Sequence, residues 1–387
     1  MLKTLSIENY RSILKLTIPL GQVTLITGPN GSGKSNLYKA LRLLAQAGRG
    51  GVINALASDG GLDSVFWAGP ETLSARMRRG EVPVQGGPRQ KVKRLRLGFA
   101  GEDYGYAISL GLPEPVPRSV FNLDPEIKRE CIWHSEYYRP ASLLVDRNGP
   151  MVRVRDGRQW QVVAQHLPGF DSLFDQVADV QATPEVFLLR EKIRRWRFYD
   201  HFRTDSDAPA RRPQLGTRTP VLHHDGRDLA AAIQTIREIG DEAALDEAIG
   251  YAFPGARLEV QRHDDGRFFL EFMQEGLLRP LSVAELSDGT LRYILWVAAL
   301  LTPRPPELMV LNEPETSLHP DLLLALGRLI LKASESCQVW VVSHAPRLIA
   351  TLEADDNCCS VCLDKELGET CAAKLGQFDL PAWHWPD

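Results

Sequence analysis

The sequence predicts an α/β fold built on a mixed sheet, with an antiparallel β-subdomain and a helical insertion. Three observations carry that reading. The C-terminal third alternates helix 290–301, strand 307–312, helix 320–333, strand 338–343 and helix 345–353, which is parallel α/β organisation. Strands there, such as "VWVV" at 339–342, are apolar throughout, as strands covered on both faces are. The first half instead shows period-two alternation between the turn signals Asn148–Gly149 and Asp156–Gly157, as antiparallel hairpins do.

Taken in order, "LKTLSIENY" and "LKLTIPL" read as two half-buried strands around a polar turn. "QVTLITG" reads as a buried strand, followed by a glycine-rich loop and the helical pattern "SNLYKALRLLAQA". Residues 48–88 are rich in Gly, Ala and Pro and read as loops with short helices. "RQKVKRLRLGFAGEDYGYAISLGL" and "ASLLVDRNGPMVRVRDGRQWQVV" read as hairpins. Helices are expected over "EVFLLREKIRRWRFYDHF" and "DLAAAIQTIREIGDEAALDEAIGYAF", joined by the loop 204–222. A further hairpin turns at Asp265–Gly266. The expected organisation is a single head over 1–387, divided into an N-terminal lobe (1–182), a helical insertion or lid (183–253) and a C-terminal lobe (254–387).

Bulk composition narrows the function classes. The 387 residues are 44% hydrophobic and 24% charged, ordinary for a globular protein with a sizeable core. A net charge of −4 gives no global attraction to nucleic acid or anionic membranes, so such a partner needs a local patch. The longest apolar run, "YILWVAALL" at 293–301, falls far short of the roughly 20 residues that span a bilayer. With no signal-peptide pattern at the N-terminus, a cytoplasmic protein without a membrane partner is expected. Cys358, Cys359, Cys362 and Cys371 lack the paired spacing of a zinc site, and "CCSVCLD" reads as a strand near the end of a sheet.

Residues 28–35, "GPNGSGKS", fit G-x-x-x-x-G-K-[ST] between a predicted strand and a predicted helix, the context that confirms a phosphate loop. Gly28 and Gly33 permit backbone conformations that turn amides inward, and the helix N-terminus adds a partial positive charge. Lys34 supplies a point charge to β- and γ-phosphates, and Ser35 is a natural Mg²⁺ ligand. The nucleotide-binding set is therefore Gly28, Pro29, Asn30, Gly31, Ser32, Gly33, Lys34, Ser35 and Asn36, with ATP and Mg²⁺ as ligands.

Three later stretches bear on the same chemistry. In "ELSDGTLRYILWVAAL", Ser287 and Gly289 open an apolar helix, either as an anion-binding helix start or as an ordinary N-cap. The strand "LMVL" ends in Asn312–Glu313, placing a carboxylate at a sheet's carboxyl edge, where it could activate a water. The strand "VWVV" presents Ser343 and His344; a lone His there is either a functional group or a cap.

In this order the motifs resemble the head of ABC-class ATPases, in particular the AAA-type predicted ATPases grouped with RecF, OLD-family and SMC-like proteins. The matching stretches are "IENYRS", "GPNGSGKS", "LSDGT" as signature, "NEPETSLHP" as Walker B and D-loop, and "VVSHA" as switch histidine. The resemblance implies a P-loop NTPase of the ABC-ATPase type and an ATP-dependent, head-to-head homodimer. It implies that Ser287 and Gly289 contact the γ-phosphate held by the partner copy, that Glu313 is the catalytic base and that His344 senses the γ-phosphate. Asn312 stands at the Mg²⁺-associated Walker B position, which usually carries Asp, and Ser317–Leu318–His319 would pack across the dimer. Asp288 replaces a signature glycine, and the lid-loop glutamine is unassigned among Gln85, Gln90 and Gln161.

The function this implies is a slow ATPase in DNA repair, DNA maintenance or defence against foreign DNA, with an effector protein as a further partner. The absence of a long coiled coil sets it apart from a true SMC protein, and the short stretch after His344 from an OLD-type nuclease. The alternatives are a slow-turnover nucleotide-binding interaction protein, favoured by Asn312, and a transporter's ATPase subunit, disfavoured by "ETSLHP". DNA contact is assigned to "REKIRRWRFYDHFR", 190–203, where arginines interleave with aromatics; an amphipathic helix with buried aromatics is the other reading.

Overall fold

A computed structural model of the protein describes residues 1–84, 92–373 and 380–386. It divides into two compact units: residues 1–21, 26–196 and 359–387 form one, and 22–25 with 197–358 form the other. Among the described residues, no helix is long and apolar enough to cross a membrane.

The first unit is dominated by an eight-stranded sheet in the order Ile13–Pro19, Leu2–Tyr10, Leu95–Gly101, Tyr104–Gly111, Glu126–His134, Leu143–Asn148, Met151–Asp156 and Gln159–Ala164. Every neighbouring pair is antiparallel. The turn signals act as expected: Gly149 and Gly157 take positive φ (57° and 59°), which tight hairpin turns demand. Leu5, Ile7, Leu97, Phe99, Tyr106 and Ile108 alternate along their strands and point into the core. The phosphate-loop helix, Lys34–Ala47, buries Leu37, Leu41 and Leu44 along one face. "CCSVCLD" forms the strand Cys358–Glu366, paired antiparallel with Glu369–Ala373.

In the second unit, Leu308–Asn312 and Gln338–Val342 pair in parallel, as the strand–helix alternation predicts, and Arg197–Tyr199 joins Leu308–Asn312 in parallel on the other side. Helices Asp288–Leu300, Leu322–Ser334 and Pro346–Glu353 accompany them. Their expected bounds differ from the observed ones by one or two residues. Arg257–Arg262 and Arg267–Met273 form the expected hairpin, extended by the short strands Gln214–Leu215 and Leu281–Ser282. Trp296, Tyr199, Phe202, Leu311 and Val341 belong to one buried cluster.

One element departs from the sequence reading. The helix expected over "EVFLLREKIRRWRFYDHF" stops early, at Pro184–Arg194, and Arg197–Tyr199 is a strand. The helical periodicity continues past Arg194, but the Arg–Phe–Tyr backbone finds a parallel partner in Met309–Leu311, and that tertiary pairing overrides local propensity.

The core of the first unit holds a fully buried charge pair. Arg147 Nη1 donates to Glu130 Oε2 at 2.6 Å, with both side chains 0% exposed. Glu130 also accepts from the Tyr106 hydroxyl (2.8 Å), Ser172 Oγ (2.6 Å) and the Leu173 amide (2.9 Å). Burial, reinforced by Glu130, pushes the Tyr106 phenol well above its ordinary pKa. A pair this dry stabilises only while both members are present. Arg147→Met should lower the unfolding free energy by about 3–5 kcal/mol in guanidinium denaturation, because it strands a buried carboxylate. The Glu130→Gln/Arg147→Met double variant should recover part of that loss.

Candidate functional site

The candidate residues fall in two groups, one in each unit. The strand Val23–Thr27 delivers the chain to the loop 28–33 of the first unit, where Gly28, Gly31 and Gly33 have φ of 138°, 81° and 107°. A Cβ on Gly28 would lie 2.2 Å from the Leu363 carbonyl oxygen, and one on Gly33 would lie 2.0 Å from Thr370 Oγ1. Both positions therefore exclude any side chain, on conformation and on space. Asn36 Nδ2 donates to Ser12 Oγ at 2.8 Å, Ser12 Oγ lies 2.7 Å from Thr370 Oγ1, and Thr370 Oγ1 donates to the Ser32 carbonyl at 2.9 Å. This relay fixes the loop from behind. Lys34 is 5% exposed, and its Nζ donates to the carbonyls of Gly28 (2.7 Å) and Pro29 (2.8 Å). Ser32 Oγ is buried without a hydrogen-bond partner, while Pro29, Asn30, Gly31 and Ser35 are exposed. A cradle shut to side chains, rimmed by exposed loop residues and served by a lysine, suits a polyanion.

In the second unit, Leu308–Asn312 and Gln338–Val342 run in parallel and end together, Asn312 opposite Val342. Asn312 is half-buried at the carboxyl end. Glu313 follows with φ 51°, a left-handed conformation that L-residues rarely adopt, held by its amide donating to the Val342 carbonyl at 2.8 Å. Its Oε1 lies 3.1 Å from His344 Nε2, and both side chains are part-exposed. Glu315 turns back under this pair. Its Oε1 accepts from Ser343 Oγ (2.8 Å) and from the amides of His344 (2.6 Å) and Ala345 (3.2 Å).

The signature helix, Asp288–Leu300, starts at Ser287, whose Oγ accepts from the Thr290 amide at 3.2 Å, so the N-cap forms. A Cβ on Gly289 would lie 3.3 Å from the Ser317 carbonyl, which places the helix start beside the D-loop. Asp288 does not project as a bare charge: Arg211 Nη2 donates to its Oδ1 at 2.9 Å. Arg211, 8% exposed, also donates to the carbonyls of Thr204, Val283 and Leu286, and so holds the segment before the helix. Farther along, buried Arg292 donates to the Thr316 carbonyl (2.7 Å), the Phe202 carbonyl (3.0 Å) and Thr204 Oγ1 (3.1 Å). Trp296 Nε1 donates to the Pro314 carbonyl at 3.0 Å. Burial, and then the Arg292 charge, hold His201 below the ordinary histidine range. A neutral His201 can accept from Arg292 Nη2, which lies 3.2 Å from its Nε2.

The stretch 190–203 takes the amphipathic form. In the first unit Lys192 pairs with Asp103 (2.8 Å), Arg190 and Arg194 reach Glu191, and Trp196 is buried. In the second, Tyr199 and Phe202 are buried and Arg203 pairs with Asp205 at 2.8 Å. These three aromatics are core residues rather than stacking platforms. Gln85 and Gln90 lie outside the described residues, and Gln161 sits on the exposed strand Gln159–Ala164.

Residues 171–350, which contain the signature, Glu313 and His344, match the family model "AAA domain, putative AbiEii toxin, Type IV TA system". Residues 1–64, which contain the phosphate loop, match the "AAA ATPase domain" model. An OLD nuclease of Thermus scotoductus is 43% identical over 44 residues, 11% of this chain and 8% of that protein's length. An SMC head solved with the C-winged helix domain of ScpA superposes with a TM-score of 0.52 at 12% identity, covering 97% of this chain and 98% of that one. Two stretches of the chain are thus similar to AAA-type ATPase models, and the fold is that of an SMC head. A second SMC head, with an extended coiled coil and bound to the C-terminal domain of ScpA derived from Pyrococcus furiosus, matches with a TM-score of 0.48 at 12% identity, covering 96% of this chain and 95% of that one.

Three residues of the second unit's site escaped the sequence reading. Glu315 was visible as the second carboxylate of "EPE", but nothing in its spacing shows that it turns inward. Arg211 and Arg292 carry no local signal, since they reach backbone carbonyls and side chains as far as 77 and 91 residues away. The backbone at Glu313 yields a prediction: Glu313→Gly should raise the unfolding free energy by about 0.5–1 kcal/mol by relieving the left-handed strain, in urea or thermal denaturation.

Proposed function

We propose that this chain binds and slowly hydrolyses ATP, that two copies close head to head around the nucleotide, and that the cycle serves DNA repair, DNA maintenance or defence against foreign DNA. The observation that carries the ATP reading is the phosphate loop, with its three positive-φ glycines, its Thr370 backing and its buried lysine. On this reading the loop amides of 28–36 bind the phosphates, and Lys34 exchanges its two loop carbonyls for β- and γ-phosphate oxygens. Ser35 and Asn312 are the groups suited to hold Mg²⁺, which would neutralise charge developing on the phosphates. On the same reading Glu313 has the role of accepting a proton from the attacking water, and His344, within reach of Glu313, that of sensing the γ-phosphate.

The homodimer reading rests on the signature. Ser287 and Gly289 sit at a helix N-terminus beside Ser317, and Arg211 neutralises Asp288, so a carboxylate at this position need not repel a phosphate of the other copy. The DNA role is supported by the OLD nuclease match alone. Any DNA contact over 190–203 would use its charged face, without Trp196, Tyr199 or Phe202 as stacking platforms.

Asn312 favours a second reading, a nucleotide-binding protein whose turnover is too slow to drive work. It retains an acceptor oxygen but lacks the charge that Asp brings. A unit charge pair at about 4 Å is worth roughly 4 kcal/mol at an effective dielectric of about 20, and the contribution through water is smaller, about 1–2 kcal/mol. Asn312→Asp should accordingly tighten Mg²⁺ binding by about tenfold and speed hydrolysis; unchanged Mg²⁺ dependence would remove the argument for a weakened site. Lys34→Ala should abolish ATP binding in a fluorescent-nucleotide titration. Glu313→Gln should trap an ATP-bound dimer by light scattering, whereas monomers with ATP for both forms would refute the head-to-head model.

A further inference from the structure

We infer that Glu315 is a positioning residue that clamps the end of strand Gln338–Val342 and so aims His344 at Glu313; this rests on the functional reading above. The turn that follows Asn312 reverses the chain through two left-handed residues, Glu313 (φ 51°) and Ser317 (φ 61°). Its internal bonds, Thr316 amide to Glu313 carbonyl and Leu318 amide to Glu315 carbonyl, keep it tight. Buried Pro314 is pinned by Trp296. The Glu315 side chain is thereby directed back toward the neighbouring strand end.

There one oxygen does the work of three acceptors. Oε1 takes the Ser343 hydroxyl and the amides of His344 and Ala345. Ser343, 1% exposed, in turn accepts from the Ala345 amide at 3.2 Å. Ala345 is the N-cap of helix Pro346–Glu353 and has no side chain to cap it. A carboxylate at this helix start satisfies amides that would otherwise be orphaned, and it lies at the favourable end of the helix dipole. Because His344 sits between the strand and this helix, holding its amide fixes where its imidazole leaves the backbone.

Glu315 is not itself placed to take a substrate proton. Oε1 is saturated by three donors, and Oε2 is buried without a partner. Glu313 and His344, by contrast, are part-exposed. The division of labour is a reacting carboxylate at 313 and a holding carboxylate at 315.

The test compares full-length wild type, Glu315→Gln and Glu315→Ala. Three quantities are measured: ATP affinity, steady-state hydrolysis, and the ¹⁵N-histidine spectrum with the His344 peak assigned through His344→Asn. Glutamine keeps an acceptor oxygen in place; alanine removes it. Glu315→Ala should bind ATP as wild type does, lose about 100-fold in kcat through misplacement of His344, and shift the His344 peak. Glu315→Gln should recover kcat to within about threefold and return the peak to the wild-type position. Should Glu315→Ala not fold, Glu315→Asp, one methylene shorter, gives the same contrast. An alanine variant with wild-type kcat and an unmoved peak overturns the clamp. A glutamine variant as inactive as alanine, with its peak in place, also overturns it, because the charge would then act directly. A wild type that hydrolyses no ATP overturns the functional reading instead, and the histidine peak still decides the clamp.

Discussion

The chemistry-bearing turns of the second unit depend on one buried helix, Asp288–Leu300. Its side chains at 291–300 are all buried, so it is fixed by packing along its whole length. From that fixed position Arg292 and Trp296 hold the carbonyls of Thr316 and Pro314. Those bonds determine the path of the turn that carries Glu313 and Glu315. Backbone carbonyls in a buried turn need donors, and here the signature helix supplies them. The same helix and its bonds tie the Ser287–Gly289 start to the turn 313–317.

Rigidity of this kind explains why strain is tolerated at Glu313. A left-handed glutamate costs free energy that an isolated turn would relieve by rearranging. The Val342 carbonyl on one side and the Trp296 contact on the other leave it no alternative path. The phosphate loop is restrained differently. The Ser12–Thr370–Ser32 relay supports it from behind through short polar side chains, and two glycines admit the hairpin Cys358–Glu366/Glu369–Ala373 at van der Waals distance. Loop and turn thus use opposite solutions: one removes side chains to let backbone approach, the other forces a side chain outward at a conformational cost.

Much of the candidate site was legible because its signals are local. "GPNGSGKS" between strand and helix depends on spacing within a few residues, and so do the Ser287 cap and the strand ends at Asn312 and Val342. The antiparallel hairpins were legible through Asn–Gly and Asp–Gly turns. Two features were not legible, for a single reason. Whether Arg197–Tyr199 continues a helix or joins a sheet depends on Met309–Leu311, more than a hundred residues on. Whether Trp196, Tyr199 and Phe202 stack on a ligand or pack in a core depends on burial, which composition does not report.

By itself, then, the sequence determined the fold class, the pattern of the phosphate loop, the order of the motifs and the place of Glu313 at a strand's carboxyl end, since each rests on periodicity or on short-range spacing. Only the tertiary structure decided that Asp288 is paired with Arg211, that Trp196, Tyr199 and Phe202 are core, and that the Glu315 carboxylate turns onto Ser343 and the His344 amide. Each of those outcomes is set by partners distant in the chain, brought within hydrogen-bonding distance or into the core of the unit to which they belong.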